Sequence, residues 1–187
     1  MLTITIKGGE LYNSKTREFY QVKDTTITLE HSLVSMSKWE AKWRKPFLSR
    51  DQEKAPKTNE ESLDYIKCMT ITQNVDPNVY LMLSKKQLEE INNYIANPMT
   101  ATWFNERKDK ASKRSSEEIT SELIYYWMVA LQIPFKPCEK WHLNRLLTLV
   151  RICNIKNQPE KKYSKKEIMS RNAALNAARR KKLGTSG

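Results

Sequence analysis

The chain is poor in the residues that mark most enzyme chemistries. Its 187 residues include 4 glycines, 3 cysteines and 2 histidines. So few glycines leave no phosphate-cradling loop, and Gly8-Gly9 lacks the Lys and Ser/Thr that such a loop needs, so it reads as a turn. Neither His31 nor His142 has a nearby Ser or Cys and a carboxylate in a triad-like pattern. Cys68, Cys138 and Cys153 are too sparse, and odd in number, for the disulfide framework of a small secreted domain, which predicts a reducing cytosol. No stretch approaches the roughly 20 apolar residues of a bilayer-spanning helix. Lys7, Glu10, Arg17 and Asp24 break up the N-terminal region, so no basic-then-apolar leader is visible. These absences predict a soluble protein that is not an enzyme, carries no cofactor and has no membrane partner.

A metal site is equally poorly supplied. Cys138 and His142 are four residues apart and share a face if helical, but a site would have to borrow His31 or Cys68 to complete four ligands. No Cys-x-x-Cys knuckle exists, and small thiols are frequent core residues, so no metal is predicted.

What the chain has in excess is positive charge: 33 Lys and Arg against 21 Asp and Glu, a net of +12. The excess is unevenly placed. From Lys156 onward there are 10 basic and 2 acidic residues, a net of +8, whereas residues 1–155 are nearly balanced at +4. This division predicts one folded domain, residues 1–155, followed by a basic extension, residues 156–187.

Within the domain, Leu2–Lys7, Glu18–Val22 and Thr25–Leu29 alternate apolar and polar residues with the period of half-buried strands. They predict a small antiparallel sheet of two or three strands over residues 1–30, which must pack on something to persist. Residues 31–155 then read as a helical body. Leu33, Met36, Trp39 and Trp43 make one face of a helix that ends before Pro46. Thr58 with Glu61 and Ser84 with Gln87 have capping-box spacing, and Asp76-Pro77 opens a short helix between them. A piece around Met99–Phe104 is a candidate addition to the sheet. Ser115 with Glu118 predicts the start of a helix over about 117–131, its buried face formed by Ile119, Leu123, Ile124, Trp127, Met128 and Leu131. A second helix over about 138–153 carries Leu143, Leu146, Leu147 and Val150. The two are expected to pair antiparallel and to form the centre of the core. In the extension, Ser164 with Glu167 opens a helix that Gly184 ends. The fold class is therefore α+β, mostly α-helical.

Two groups are candidates for binding. Trp39 and Trp43 lie among Lys38, Lys42, Arg44 and Lys45, an interleaving that suits an interface or base stacking, with packing on the sheet as the simpler alternative. The extension holds Lys161, Lys162, Lys165 and Lys166 in one cluster, Arg179, Arg180, Lys181 and Lys182 in another, and Arg171 between. Such a helix suits RNA or DNA phosphates, an acidic protein surface, or a solvated arm without a target, and composition alone does not rank the three.

The segments Leu29–Trp43, Asp64–Thr70, Trp141–Leu149 and Arg171–Arg180 together resemble a family of proteins encoded in the structural modules of tailed bacteriophages. The resemblance touches most of the chain and brings no catalytic residue. It implies a role in virion building, as a tail assembly chaperone or a minor tail or neck component. The implied partners are other phage structural proteins, such as the tape measure or a tail protein, and the implied location is the host cytoplasm during assembly, or the virion. A nucleic-acid-binding protein acting through residues 156–187 is the alternative.

Overall fold

A computed structural model describes residues 1–13, 17–49, 56–104, 118–157 and 165–184, with backbone only at Asn13, Lys165–Ile168 and Arg171. The fold is α+β and mostly helical. It divides into two compact units, Met1–Asn154 and Ile155–Gly187.

The first unit opens with four strands, β1 (Leu2–Ile6), β2 (Gly9–Asn13), β3 (Glu18–Val22) and β4 (Thr25–Leu29). They form two antiparallel pairs, β1 with β4 and β2 with β3. Leu2 faces Leu29, Ile6 faces Thr25, Gly9 faces Val22 and Asn13 faces Glu18, so the register runs through both pairs. The sheet is thus one long hairpin interrupted where Lys7-Gly8 meets Lys23-Asp24. Gly8 is not the hairpin turn that its sequence suggests. Its N–H donates to Asp24 Oδ1 at 2.7 Å, and a Cβ there would lie 2.0 Å from the Val22 carbonyl oxygen, so the strands can approach only with glycine. The inner half buries Ile4, Ile6, Ile27 and Leu29, while Tyr12 and Phe19 on the outer half are exposed and stack at 5.1 Å.

Beyond the hairpin come α1 (Leu33–Trp43), α2 (Asn59–Met69), a 3-10 helix (Pro77–Met82) and α3 (Lys85–Ala96). Their starts follow the local chemistry of the sequence. Ser32 caps α1 by accepting from Ser35 N–H, and Arg44 ends it in a left-handed conformation. Thr58–Glu61 and Ser84–Gln87 form complete capping boxes, and the Asp76 side chain accepts from Asn78 N–H at 2.9 Å. The chain leaving α2 runs along the hairpin, where Glu30 N–H donates to Met69 O and Ile71 N–H to Thr28 O. Residues 99–104, in contrast, form no strand.

The later helices are α4 (Ser121–Ala130), the short turn α5 (Phe135–Cys138) and α6 (Leu143–Asn157). α4 starts later than expected. Ile119 bridges to Leu48 in extended form, and Thr120, not Ser115, caps the helix by accepting from Leu123 N–H. Ser115 itself lies outside the described residues. On the expected face, Ile124 and Met128 are fully buried, while Ile119, Leu123, Trp127 and Leu131 are only half-buried. α6 also starts late, because His142 bridges to Ser32 and Leu143 N–H donates to His31 O at 2.7 Å.

The expected α4–α6 pair is not the centre of the core. α1 is, since it packs most extensively on α2 and next on α4. Its Leu33, Met36 and Trp39 are buried to within 1% exposure and join Ile27, Leu29, Met69, Ile91, Ile124, Leu143 and Leu146 in one cluster. Trp39 dominates by size, and its removal from such a site costs about 3–5 kcal/mol.

The second unit contains α7 (Lys165–Leu183), rich in Ala, Lys and Arg and ended by Gly184 at φ 64°. The expected Ser164–Glu167 capping box lies outside the described side chains.

Candidate functional site

α7 carries the larger group of sequence candidates. At 1.5 Å per residue its 19 residues extend about 28 Å. Every side chain described on it is exposed, including Met169 (73%), Leu175 (48%) and Leu183 (73%). Arg179, Arg180, Lys181 and Lys182 follow one another, so at about 100° per residue they fan through about 300° of the helix circumference. No apolar stripe separates them, and among the described residues none of the four makes an ion pair. Lys165, Lys166 and Arg171 lie on the same helix, with only their backbone described, and Lys161 and Lys162 lie outside the described residues.

Trp39 and Trp43 are placed differently. Trp39 is 1% exposed, and its indole N–H donates to the Glu61 carbonyl at 2.8 Å. Trp43 is half-buried and donates to Asp64 Oδ2 at 2.9 Å. Two of the surrounding cations are turned against α2: Lys42 pairs with Asp64, and Lys45 with Glu61 at 2.5 Å. The hydrogen bond from Lys45 holds the Glu61 carboxyl below its ordinary pKa. Burial opposes ionisation of Asp64, but hydrogen bonds from Lys42 and Trp43 outweigh it and hold its pKa down. The pair of tryptophans thus clamps α1 to α2, and Trp39 is closed to any external ligand.

A further set of polar groups is inside. Glu30, His31, Glu40, Glu61, Asp64 and His142 are all buried. Tyr65 OH and His31 Nδ1 lie 2.5 Å apart, and Tyr94 OH donates to Glu30 Oε1 at 2.7 Å. The Met1 amine pairs with the other oxygen of Glu30 at 3.1 Å. His142 Nε2 is 3.0 Å from the Tyr94 carbonyl, so that nitrogen carries the proton and Nδ1 keeps a lone pair. Among the described residues His142 Nδ1 is buried without a hydrogen-bond partner.

The two imidazoles touch edge to face, 5.0 Å between ring centres. Burial, then the charges of His142 and Lys57, push the His31 pKa down to about 3. Burial also lowers that of His142. Both rings are therefore neutral at pH 7, and Tyr65 and Tyr94 are held protonated by burial. Cys138, expected near His142 in a metal reading, is a buried core residue. Among the described residues no group of three or more His, Cys, Asp and Glu is placed to hold a metal ion. What this network does physically is join the end of β4, the start of α1, α2, α3 and the start of α6 through specific polar contacts.

Glu40 does the same elsewhere, accepting from Phe47 N–H and from Ser121 N–H, each at 2.7 Å. It ties the end of α1 to the following loop and to the first turn of α4. No local motif announces the His31–Tyr65, His142–Tyr94, Glu30–Tyr94 and Glu40–Ser121 contacts, because these partners lie 34 to 81 positions apart.

Comparison with known protein families, with curated proteins and with solved structures gives no match to this chain. Among the described residues, no helix is long and apolar enough to cross a membrane.

Proposed function

We propose that the protein is a non-enzymatic bacteriophage assembly or structural protein that acts by contact with another phage protein, as a tail assembly chaperone or a minor tail or neck component. The phage assignment rests on the resemblance of the four sequence segments. The binding mode rests on one observation: Arg179–Lys182 fan around α7 with no apolar stripe between them and, among the described residues, no ion pair. Helices that dock in apolar grooves present anchors at i, i+3, i+4 and i+7, a pattern α7 lacks. Its natural complement is an acidic face, so the partner is a phage structural protein with a cluster of Asp and Glu.

Capture of the tagged chain from infected cells, with nuclease added, tests this. Co-purification of a phage structural protein that weakens on deletion of residues 156–187 is the expected result, and unchanged co-purification removes the tail's part in it.

The same circumferential charge favours one second reading, contact with nucleic acid phosphates. That reading predicts an electrophoretic shift of RNA or DNA at low salt which collapses steeply as salt rises. Absence of any shift at low salt disposes of it.

A further inference from the structure

The first unit contains a groove that neither the basic helix nor the buried network accounts for. It encloses about 570 Å³ between α2, the 3-10 helix and α3, within the volume range of small-molecule sites. Its walls are apolar, from Leu63, Ile66, Tyr80, Leu88 and Ile95, and Tyr65 contributes to the same lining. Among the described residues Lys57 is its one charged lining residue, with Asn59 and Ser62 beside it on the first turns of α2 as neutral polar groups.

Lys57 is unusually situated. Its ammonium donates to the Phe47 carbonyl at 2.9 Å and lies 4.1 Å from the Phe47 ring centre and 5.7 Å from that of Trp39. Among the described residues no carboxylate lies within ion-pair distance of it. Glu61 acts on it only from further away, and that carboxylate already accepts from Lys45 and from Thr58 N–H. Burial lowers the ammonium's pKa from its ordinary value. A half-buried cation among aromatic rings, with no counter-charge in contact among the described residues, is costly and is relieved by an anion.

We infer that this groove binds an aliphatic monocarboxylate, its chain lying between α2 and α3 and its carboxylate paired with Lys57. The inference stands apart from the proposal for α7, which involves other residues in the other unit.

Calorimetric titration of the full chain with dodecanoate, below its micelle-forming concentration, and with dodecanol tests it. Saturable binding of dodecanoate at least tenfold tighter than dodecanol is expected. Lys57→Met should abolish that preference while dodecanol still binds, Lys57→Arg should restore it, and Asn92→Trp, at an exposed position on the groove, should weaken both ligands at least tenfold. Replacing Arg179, Arg180, Lys181 and Lys182 by Ala should leave dodecanoate affinity unchanged. Equal affinity for the two ligands, a preference that survives Lys57→Met, or dodecanoate binding lost with the α7 replacements would each overturn the site.

Discussion

The two units of this chain use charge in opposite ways. In Met1–Asn154 four acidic side chains are buried and each joins separate elements: Glu40 holds the start of α4, Glu61 and Asp64 hold α1, and Glu30 holds α3. In Ile155–Gly187 the charge is predominantly basic and the described side chains face water. Charge in the first unit decides which helix meets which. In the second, Arg179–Lys182 are exposed and, among the described residues, make no ion pair. The difference teaches that the chain's net charge describes its C-terminal helix, whereas its fold is set by an apolar cluster and a few buried polar contacts.

The sharpest way to break this comparison is to attack the body. Trp39→Ala removes the largest fully buried side chain and its indole hydrogen bond, so urea unfolding should show a loss of about 3–5 kcal/mol. A loss below about 1 kcal/mol would displace α1 from the centre of the core.

Acid should act next. His31 faces Tyr65, His142, Phe47 and Lys57, and its folded pKa of about 3 lies below the ordinary 6.5. The unfolded chain therefore binds more protons between these values, and stability falls as pH drops from about 6.5 toward 3. The neutral His31 imidazole contributes a slope approaching about 1.4 kcal/mol per pH unit, and His142, whose pKa is also lowered, adds in the same direction. Urea unfolding between pH 6.5 and 5 isolates this effect from the Glu61 and Asp64 carboxyls, which take up protons at lower pH. His31→Phe should flatten the slope, and an unchanged slope would place its source elsewhere.

Glu40→Ala leaves Phe47 N–H and Ser121 N–H without their acceptor and should cost about 1–3 kcal/mol by the same assay. The smallest effect belongs to the second unit. Replacing Arg179, Arg180, Lys181 and Lys182 by Ala should move the unfolding free energy by no more than about 0.5 kcal/mol, since exposed side chains without partners contribute little.

The sequence made some of this legible and concealed the rest for physical reasons. Capping is local: Thr58 and Glu61 are three residues apart and satisfy each other wherever the helix goes, as do Ser84 and Gln87. The face of α1 was likewise legible from the spacing of Leu33, Met36, Trp39 and Trp43. Strand β2 was not, because Gly8-Gly9 resembles a turn and Leu11 is its one half-buried apolar residue. Ser115 and Thr120 both satisfy the local rule for starting a helix, and the bridge from Ile119 to Leu48, 71 positions away, decides between them. The His31–Tyr65 and Tyr94–Glu30 contacts span 34 and 64 positions, beyond any local period. Of the candidate site, the basic helix was readable from composition, whereas the tryptophans needed the fold: their aromatic–basic pattern is the same for a binding face and for a clamp between two helices.

The central claim is that contact with a partner protein resides in α7 and stability in the body. Its most direct test is co-purification from infected cells, in the presence of nuclease, of the full chain beside the variant in which Arg179, Arg180, Lys181 and Lys182 are Ala. The account predicts that the intact chain retains a phage structural protein and that the variant, folded as stably, loses it. Equal retention by both would contradict the account.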